Sequence, residues 1–270
     1  MDNDRFELVD TNRFGPWTVV TGASSGIGLE FARQLAANGL NLVLVSRRER
    51  VLEQVGQRLK QRYGIDYRTI EADLSTEEGQ RKVVDNTVDL DVGLLVSNAG
   101  TGQPGNFLSF EESDLRMISQ LNAISYMVLT HQFGRRLAKR GRGGVLLVSA
   151  LGSDTGIPYN AKAAAAKGLV NTLGRSLHYE FGRLGLNISV LIVTPTETPI
   201  IEKMGLRRID MPTKPMSVQK TVGAGLVGLR HNKMIVLPGL MFQIANALVP
   251  AGLVRKMTAE MMRKSTTFVA

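Results

Sequence analysis

The chain has 270 residues and 43% apolar residues, which is enough for one large α/β domain with a sizeable core. It contains no cysteine, which excludes disulfides and thiol chemistry, and its 3 scattered histidines make no metal site. The 33 Lys and Arg against 24 Asp and Glu give a net charge of +9, which indicates either a solvated basic surface or an affinity for a phosphate-bearing ligand or an anionic membrane surface. We expect no nucleic-acid partner, because no basic run is interleaved with aromatic residues.

Two sequence features bear on location. The opening residues Met1-Asp-Asn-Asp4 are acidic and polar, unlike a secretory signal. No apolar run reaches the ~20 residues of a membrane-spanning helix. We therefore expect a cytoplasmic protein.

The stretch from Trp17 to Gly39 predicts a strand, a glycine turn and a helix. Its turn, Thr21-Gly-Ala-Ser-Ser-Gly-Ile-Gly28, has the spacing G-x3-G-x-G. In a dinucleotide site, Gly22 would turn the chain, Gly26 would let the backbone approach a phosphate, and Gly28 would let the helix pack closely. The alternative is an ordinary turn that is rich in small residues.

The rest of the chain continues this alternation of strands and helices. Further strands are predicted at 41–46, 66–72, 92–97, 144–149, 186–193 and 233–238, and helices at 49–60, from Ser75, at 111–140 with a break near Leu121-Asn122, and at 160–182. Because the strands are mostly continuous apolar runs, we predict a doubly wound parallel sheet of the Rossmann type, with about seven strands and helices on both faces.

The domain organisation is predicted to be simple. No linker or composition shift divides residues 1–270, so we expect a single domain. Residues 1–15 indicate a polar, poorly fixed lead-in. The irregular, proline-marked segment 196–215 follows a strand and is interpreted as a substrate lid.

Ligands of such sheets bind outside the carboxyl ends of the strands. The residues at the predicted ends are Gly22, Ser24, Arg47, Arg48, Asp73, Asn98, Ala99, Gly100, Ser149, Ala150, Pro195 and Thr196. After the second strand, an acidic residue would bind a ribose 2′-hydroxyl, whereas Arg47 and Arg48 suit a 2′-phosphate. This favours NADP(H) over NAD(H), unless the two arginines are simply surface charges.

Five motifs, in order, resemble the short-chain dehydrogenase/reductase family over about residues 15–240. They are Thr21–Gly28, Asp73-Leu74, Asn98-Ala-Gly100, Asn122 and the strand–helix stretch 145–182. The resemblance implies a nicotinamide cofactor and hydride transfer to or from a small-molecule carbonyl or alcohol. The predicted cofactor-binding residues are Gly22, Ser24, Ser25, Gly26, Ile27, Gly28, Arg47, Arg48, Asp73, Leu74, Asn98, Ala99, Gly100, Lys167, Pro195, Thr196 and Thr198.

The catalytic group of such enzymes is Asn, Ser, Tyr and Lys. The Tyr hydroxyl is the acid/base, the Lys lowers its pKa and holds the nicotinamide ribose, and the Ser fixes the substrate oxygen. In this chain Asn122 and Lys167 match. The Tyr position, four residues before Lys167, is Ala163, and the Ser position, thirteen residues earlier again, is Ala150.

Several interpretations of these alanines stay open. The chain is an inactivated or redesigned form of an active NADP(H)-binding oxidoreductase, or a natural relative without the redox step. Such a relative would be a pseudoenzyme, a regulatory module, or a lyase, isomerase or cyclase that uses Asn122, Lys167 or Lys162. In a further alternative, Ser149 or Tyr159, one helical turn before Ala163, replaces the missing hydroxyls.

The helices also predict surfaces for assembly. Apolar residues lie on more than one side of the helices near 123–140 and 160–182, which predicts a two-fold homo-oligomer. Residues 239–264 form two amphipathic stretches with basic residues beside an apolar stripe. This stripe either packs on the protein or makes a weak, peripheral contact with an anionic membrane surface.

Overall fold

The computed structural model describes residues 8–198 and 215–265, and its centre is a parallel sheet of seven strands. The strands are β1 (Trp17–Thr21), β2 (Asn41–Ser46), β3 (Tyr67–Glu71), β4 (Val92–Ser97), β5 (Gly144–Ala150), β6 (Asn187–Val193) and β7 (Ile235–Val236). Their order is β3-β2-β1-β4-β5-β6-β7, so the winding reverses between β1 and β4. The predicted doubly wound parallel sheet is confirmed.

Helices cover both faces of the sheet. They are α1 (Thr11–Phe14), α2 (Gly26–Ala37), α3 (Glu49–Tyr63), α4 (Glu77–Asp85), α5 (Glu112–Ser119), α6 (Ser125–Arg140), α7 (Ala161–Gly182), α8 (Val218–Arg230), α9 (Leu240–Leu248) and α10 (Ala251–Ser265). Alternate strand residues face opposite sides, so Leu42 and Leu44 belong to the core under α2 and α8, and Val43 and Val45 to the core under α6. Within the described ranges, no helix has the length and hydropathy needed to cross a membrane.

The start of the described chain is packed rather than loose. Val9 and Phe14 are fully buried, and the Asp10 carboxylate caps α1 by accepting a hydrogen bond from the Arg13 backbone N–H at 3.1 Å. The prediction of a poorly fixed lead-in is therefore wrong for residues 8–15, because two apolar side chains in this short polar stretch reach the core. Residues 1–7 lie outside the described part.

The predicted break near Leu121-Asn122 takes the form of an interruption of the α-helix between Ser119 and Ser125. The chain stays helical there, through a π-helical turn at Gln120–Ile124 that joins α5 to α6. This turn places Asn122 inside, with 1% of its surface exposed. Its side-chain nitrogen donates to the Thr101 carbonyl oxygen at 2.7 Å and its side-chain oxygen accepts from the Thr101 N–H at 3.0 Å. A π-turn often marks a functional position in a helix.

The two ends of the predicted lid meet beside the sheet. The Met216 N–H donates to the Pro195 carbonyl oxygen at 2.8 Å, and the Glu197 N–H donates to the Met216 carbonyl oxygen at 3.0 Å. Residues 199–214, most of the predicted lid, lie outside the described residues. The segment therefore leaves and returns at the carboxyl end of β6.

Candidate functional site

The glycine turn has the geometry of an anion-binding turn. Gly22 and Gly26 adopt φ of 70° and 55°, which disfavours other residues, and a Cβ on Gly28 would collide with the Gly22 carbonyl oxygen. Helix α2 begins at Gly26, and Ser25 at its N-cap makes no side-chain capping hydrogen bond. The first N–H groups of a helix carry its positive dipole end, so this turn suits a phosphate.

Thr21 joins the glycine turn to the end of β4. Its hydroxyl oxygen accepts hydrogen bonds from the N–H groups of Asn98 at 2.8 Å and Ala99 at 2.9 Å. The Asn98 side chain donates back to the Thr21 carbonyl oxygen at 2.9 Å. No role for Thr21 was predicted from the sequence. These bonds bring two predicted motifs together where the winding of the sheet reverses, which is where open α/β sheets bind ligands.

The arginines after β2 lie beside the same turn. The Arg48 guanidinium donates to the hydroxyls of Ser24 at 2.7 Å and Ser25 at 3.1 Å. Arg47 is 3.9 Å from the Asp73 carboxylate; the Arg47 side chain is largely exposed, and that of Asp73 is partly exposed. Two guanidinium groups therefore face the solvent next to the glycine turn.

Asp73 remains charged beside these arginines. Burial raises the pKa of its carboxyl, but hydrogen bonds from Ser75 and the positive charge of Arg47 outweigh it, so the pKa lies below its usual value. The carboxylate accepts from the Ser75 N–H at 2.9 Å and from its hydroxyl at 2.7 Å. The next residue, Leu74, is buried in the core. Its predicted role in binding can therefore involve only its backbone.

Residues 195–198 lie on the other side of the glycine turn. Thr196 is buried, and its hydroxyl donates to the Thr194 carbonyl oxygen at 2.7 Å. Thr198 faces the turn, because a Cβ on Gly26 would lie 3.7 Å from the Thr198 methyl group. Of the three residues predicted here, Thr198 therefore lies next to the glycine turn. Ile27 packs partly against the core.

Lys167 of α7 and Asn122 of the π-turn meet beside the Asn98–Gly100 motif. A Cβ on Gly100 would lie 3.0 Å from the Asn122 side-chain oxygen and 3.7 Å from Lys167 Nζ. The fold therefore unites three motifs that are separated in sequence. This cluster contains Asn122 and Lys167, the two residues to which the family resemblance assigns catalytic roles.

Lys167 has two buried partners that orient its amine. Its Nζ donates to the Tyr126 hydroxyl and to the Val148 carbonyl oxygen, each at 2.7 Å. Burial lowers the pKa of Lys167 to about 7, and burial raises the pKa of Tyr126. Tyr126 was missed in the sequence, since nothing in the pattern of α6 distinguishes it from a core aromatic residue. A lysine that is partly neutral near pH 7 is suited to hold or release a proton.

The two alanine positions lie on the elements that the sequence assigned to them. Ala163 is in the first turn of α7, four residues before Lys167 and so on the same side of the helix, and is 7% exposed. Ala150 ends β5, and its neighbour Ser149 donates to the Lys167 carbonyl oxygen at 3.3 Å. The Ser149 hydroxyl is therefore engaged with the backbone of α7.

Tyr159 does not occupy the position that its proposed replacement role requires. Helix α7 begins at Ala161, and Tyr159 precedes it with a φ of 60°, so it is not one helical turn before Ala163. Its side chain packs against Met262 of α10. Its carbonyl oxygen accepts from the Gly105 N–H at 2.7 Å.

Lys162 is a second lysine at this end of α7, and it is buried. Its Nζ donates to the Gln103 side-chain oxygen at 3.1 Å and lies 3.1 Å from the centre of the Phe110 ring. Burial lowers the pKa of Lys162, and the charge of Asp114 partly opposes this shift. The side chain fastens the 101–110 loop to the start of α7.

Comparison with known proteins identifies the family. Residues 16–208 match the family model described as short chain dehydrogenase. The chain belongs to the short-chain dehydrogenase family. Its curated relatives include a 7beta-hydroxysteroid dehydrogenase of Mediterraneibacter gnavus, to which the chain is 27% identical over 69% of its own length and 71% of that protein. It is 29% identical to the very-long-chain 3-oxoacyl-CoA reductase of Mus musculus, over 78% of this chain and 70% of that protein.

Two solved structures, a short-chain dehydrogenase and an alcohol dehydrogenase, share this fold. One from Sphingobium yanoikuyae, in complex with NADPH, is 24% identical with a TM-score of 0.80, and the match covers 95% of this chain and 98% of that one. The bulky-bulky ketone specific alcohol dehydrogenase of Comamonas testosteroni is 25% identical with a TM-score of 0.76, covering 95% and 97%. In the described residues of the present chain, no group of three or more acidic or histidine side chains could hold a metal ion.

Proposed function

We propose that this chain binds NADP(H) and presents a small-molecule carbonyl or alcohol to it, with redox chemistry weakened by Ala150 and Ala163. The observation that carries the proposal is the contact of Arg48 with Ser24 and Ser25, which holds a guanidinium beside the glycine turn. A guanidinium there suits the 2′-phosphate that distinguishes NADP(H) from NAD(H). Solved relatives that are named as complexes with NADPH support the choice.

The residues present fit this cofactor. The uncapped start of α2 and the positive-φ glycines would bind the pyrophosphate, and Arg47 and Arg48 would bind the 2′-phosphate. Lys167 would hold the nicotinamide ribose through the N–H that it does not donate to Tyr126 or Val148. Every group in this set lies at the carboxyl ends of the strands.

The chemistry divides between cofactor and chain. When bound, the nicotinamide supplies or accepts the hydride. The chain must place the substrate oxygen and exchange a proton with it, and the residues at 150 and 163 carry no hydroxyl for this. Lys167, with a pKa of about 7, is the proton-holding group on the same side of α7 as Ala163. The names of the relatives, dehydrogenases and reductases, favour oxidoreduction over the lyase, isomerase or cyclase alternative.

The first prediction concerns cofactor choice. We expect NADPH to bind at least ten-fold tighter than NADH, which is ~1.4 kcal/mol and modest for a charge-assisted phosphate contact. Arg48→Asp should narrow or reverse this preference, because it replaces the cation with an anion. Titration of protein fluorescence with both cofactors measures it. Arg58→Asp, on an exposed turn of α3, is the control that should leave the preference unchanged. Equal affinities in the unmodified chain would refute the cofactor assignment.

The second prediction concerns assembly. Met127 of α6 and Tyr179 of α7 are exposed, and Val128, Leu169 and Leu173 are partly exposed, whereas Leu177 and Phe181 pack against the chain's own core. We expect a two-fold oligomer through the outward residues, which a charge at Met127 would weaken. Light scattering at micromolar concentration should give a mass well above the 29.5 kDa of one chain, and Met127→Glu should lower it. A single-chain mass before substitution would contradict this prediction.

A further inference from the structure

Helices α9 and α10 leave a set of large apolar side chains uncovered. These residues, named here the apolar tail face, are Leu240 (71% exposed), Met241 (57%), Ile244 (50%), Leu248 (76%), Leu253 (50%) and Met257 (56%). The four on α9 are spaced i, i+1, i+4 and i+8, so they lie on one side of that helix. Four large apolar side chains exposed on one side of a single helix indicate an interaction site rather than an ordinary surface.

The two helices are held to the protein by other residues. Met262 of α10 is 5% exposed and packs against Ile157 and Tyr159. The Arg255 guanidinium donates to the Thr155 carbonyl oxygen at 3.2 Å. Helix α10 is thus anchored on the loop before α7, and the apolar tail face is not used in that packing.

The charges around this face are basic. Helix α9 contains no charged residue, whereas α10 contains Arg255, Lys256, Arg263 and Lys264 against one acidic residue, Glu260. Glu260 is already paired with Arg263 at 2.9 Å. A two-fold contact between copies through this face would bring two helices of net positive charge close together, which is unfavourable. An anionic lipid headgroup complements them, and the chain's net charge of +9 adds to the attraction.

We propose that the apolar tail face docks this protein on the surface of an anionic lipid membrane, with α9 lying in the interface. The apolar side chains would enter the boundary between headgroups and acyl chains, while the exposed Lys256 and Arg263 of α10 contact the headgroups. Helix α9 follows the carboxyl end of β7, so the docked face belongs to the end of the sheet where the candidate site lies. The exposed Phe107 and Leu108 belong to a short 3₁₀ helix (Phe107–Ser109) that follows the carboxyl end of β4.

Vesicle co-sedimentation of the full chain tests this inference. The probes are vesicles of phosphatidylcholine with phosphatidylserine, and of phosphatidylcholine alone, at low and high salt. We expect binding to the anionic vesicles at low salt, weaker binding at high salt, and at least ten-fold weaker binding for Met241→Glu with Ile244→Glu. The matched control is Val88→Glu with Leu184→Glu, two exposed apolar residues in the turns before β4 and β6, and it should bind like the unmodified chain.

Three results would overturn the proposal. One is no binding to the anionic vesicles at low salt, and another is equal binding to the neutral ones. The third is an equal loss of binding in the control variant. If the unmodified chain does not bind vesicles, and Met241→Glu with Ile244→Glu lowers the mass measured by light scattering, the apolar tail face is instead an interface between copies. Thermal unfolding of both variants checks that each is folded, and none of these results depends on the cofactor.

Discussion

Restoring two hydroxyls, with Ala150→Ser and Ala163→Tyr in one chain, is expected to raise carbonyl reduction at least ~100-fold, because general acid catalysis typically supplies ~10²–10⁴-fold. The tyrosine would lie on the same side of α7 as Lys167, whose pKa of about 7 keeps a positive charge available near neutral pH. Such a charge lowers the pKa of a nearby tyrosine from its usual ~10. NADPH oxidation with a panel of aliphatic and aromatic ketones measures the gain.

A matched variant separates the hydroxyl from the ring. Ala150→Ser with Ala163→Phe adds nearly the same volume to this buried position but no acid, so it should remain as slow as the unmodified chain. NADPH affinity should stay within a few-fold in all three proteins, because the glycine turn, Arg48 and Lys167 are unchanged. If the unmodified chain and the tyrosine form reduce ketones at comparable rates, the assignment of positions 150 and 163 is wrong.

Lys167→Met is expected to remove a pH dependence of stability. The folded pKa of Lys167 is about 7, and that of an unfolded lysine is ~10.4. Between these two pKa values the unfolded state binds more protons than the folded state. The free energy of unfolding of the unmodified protein therefore rises with pH in this window. The cost of burying the charged amine is largest below pH ~7. From pH ~6 to ~9 the rise due to this group is roughly 2 kcal/mol, after allowance for its partial exposure.

Urea unfolding at pH 6 and pH 9 measures this effect as a difference between proteins. From pH 6 to pH 9, the free energy of unfolding of the unmodified protein should rise by about 2 kcal/mol more than that of Lys167→Met. Tyr126 from α6 is the titratable side chain that Lys167 contacts, and its raised pKa keeps it neutral throughout this range. Burial also lowers the pKa of Lys162, but this residue is present in both proteins, so its contribution cancels in the difference. Lys139→Met, at an exposed position, is the control, and parallel curves for Lys167→Met and the unmodified chain would contradict the prediction.

Local sequence was sufficient for much of the site. The glycine spacing at 22, 26 and 28 could be recognised in the sequence because glycine adopts those backbone angles and tolerates those close contacts far more readily than other residues. Arg47 and Arg48 follow an apolar strand directly, so their place at its carboxyl end is a matter of chain order. The strands themselves were predictable because a sheet covered on both faces needs continuous apolar runs.

Residues whose roles depend on distant partners were missed. Tyr126 reads as a core aromatic residue, and only the approach of α7 to α6 makes its hydroxyl the partner of Lys167. Tyr159 was placed on a helix that begins two residues later, because a positive φ at a tyrosine has no signature in the sequence. The packed start at Val9 and Phe14 likewise depends on a core that the local pattern does not contain.

The sequence by itself determined the doubly wound sheet, its glycine turn and the family, because these depend on backbone conformation and on the periodicity of apolar residues along the chain. Only the tertiary structure decided which polar groups meet Lys167, where the π-turn directs Asn122, and that the apolar tail face of α9 and α10 stays uncovered. Amphipathic periodicity shows that a helix has an apolar side, but whether that side is buried depends on what the rest of the fold brings against it.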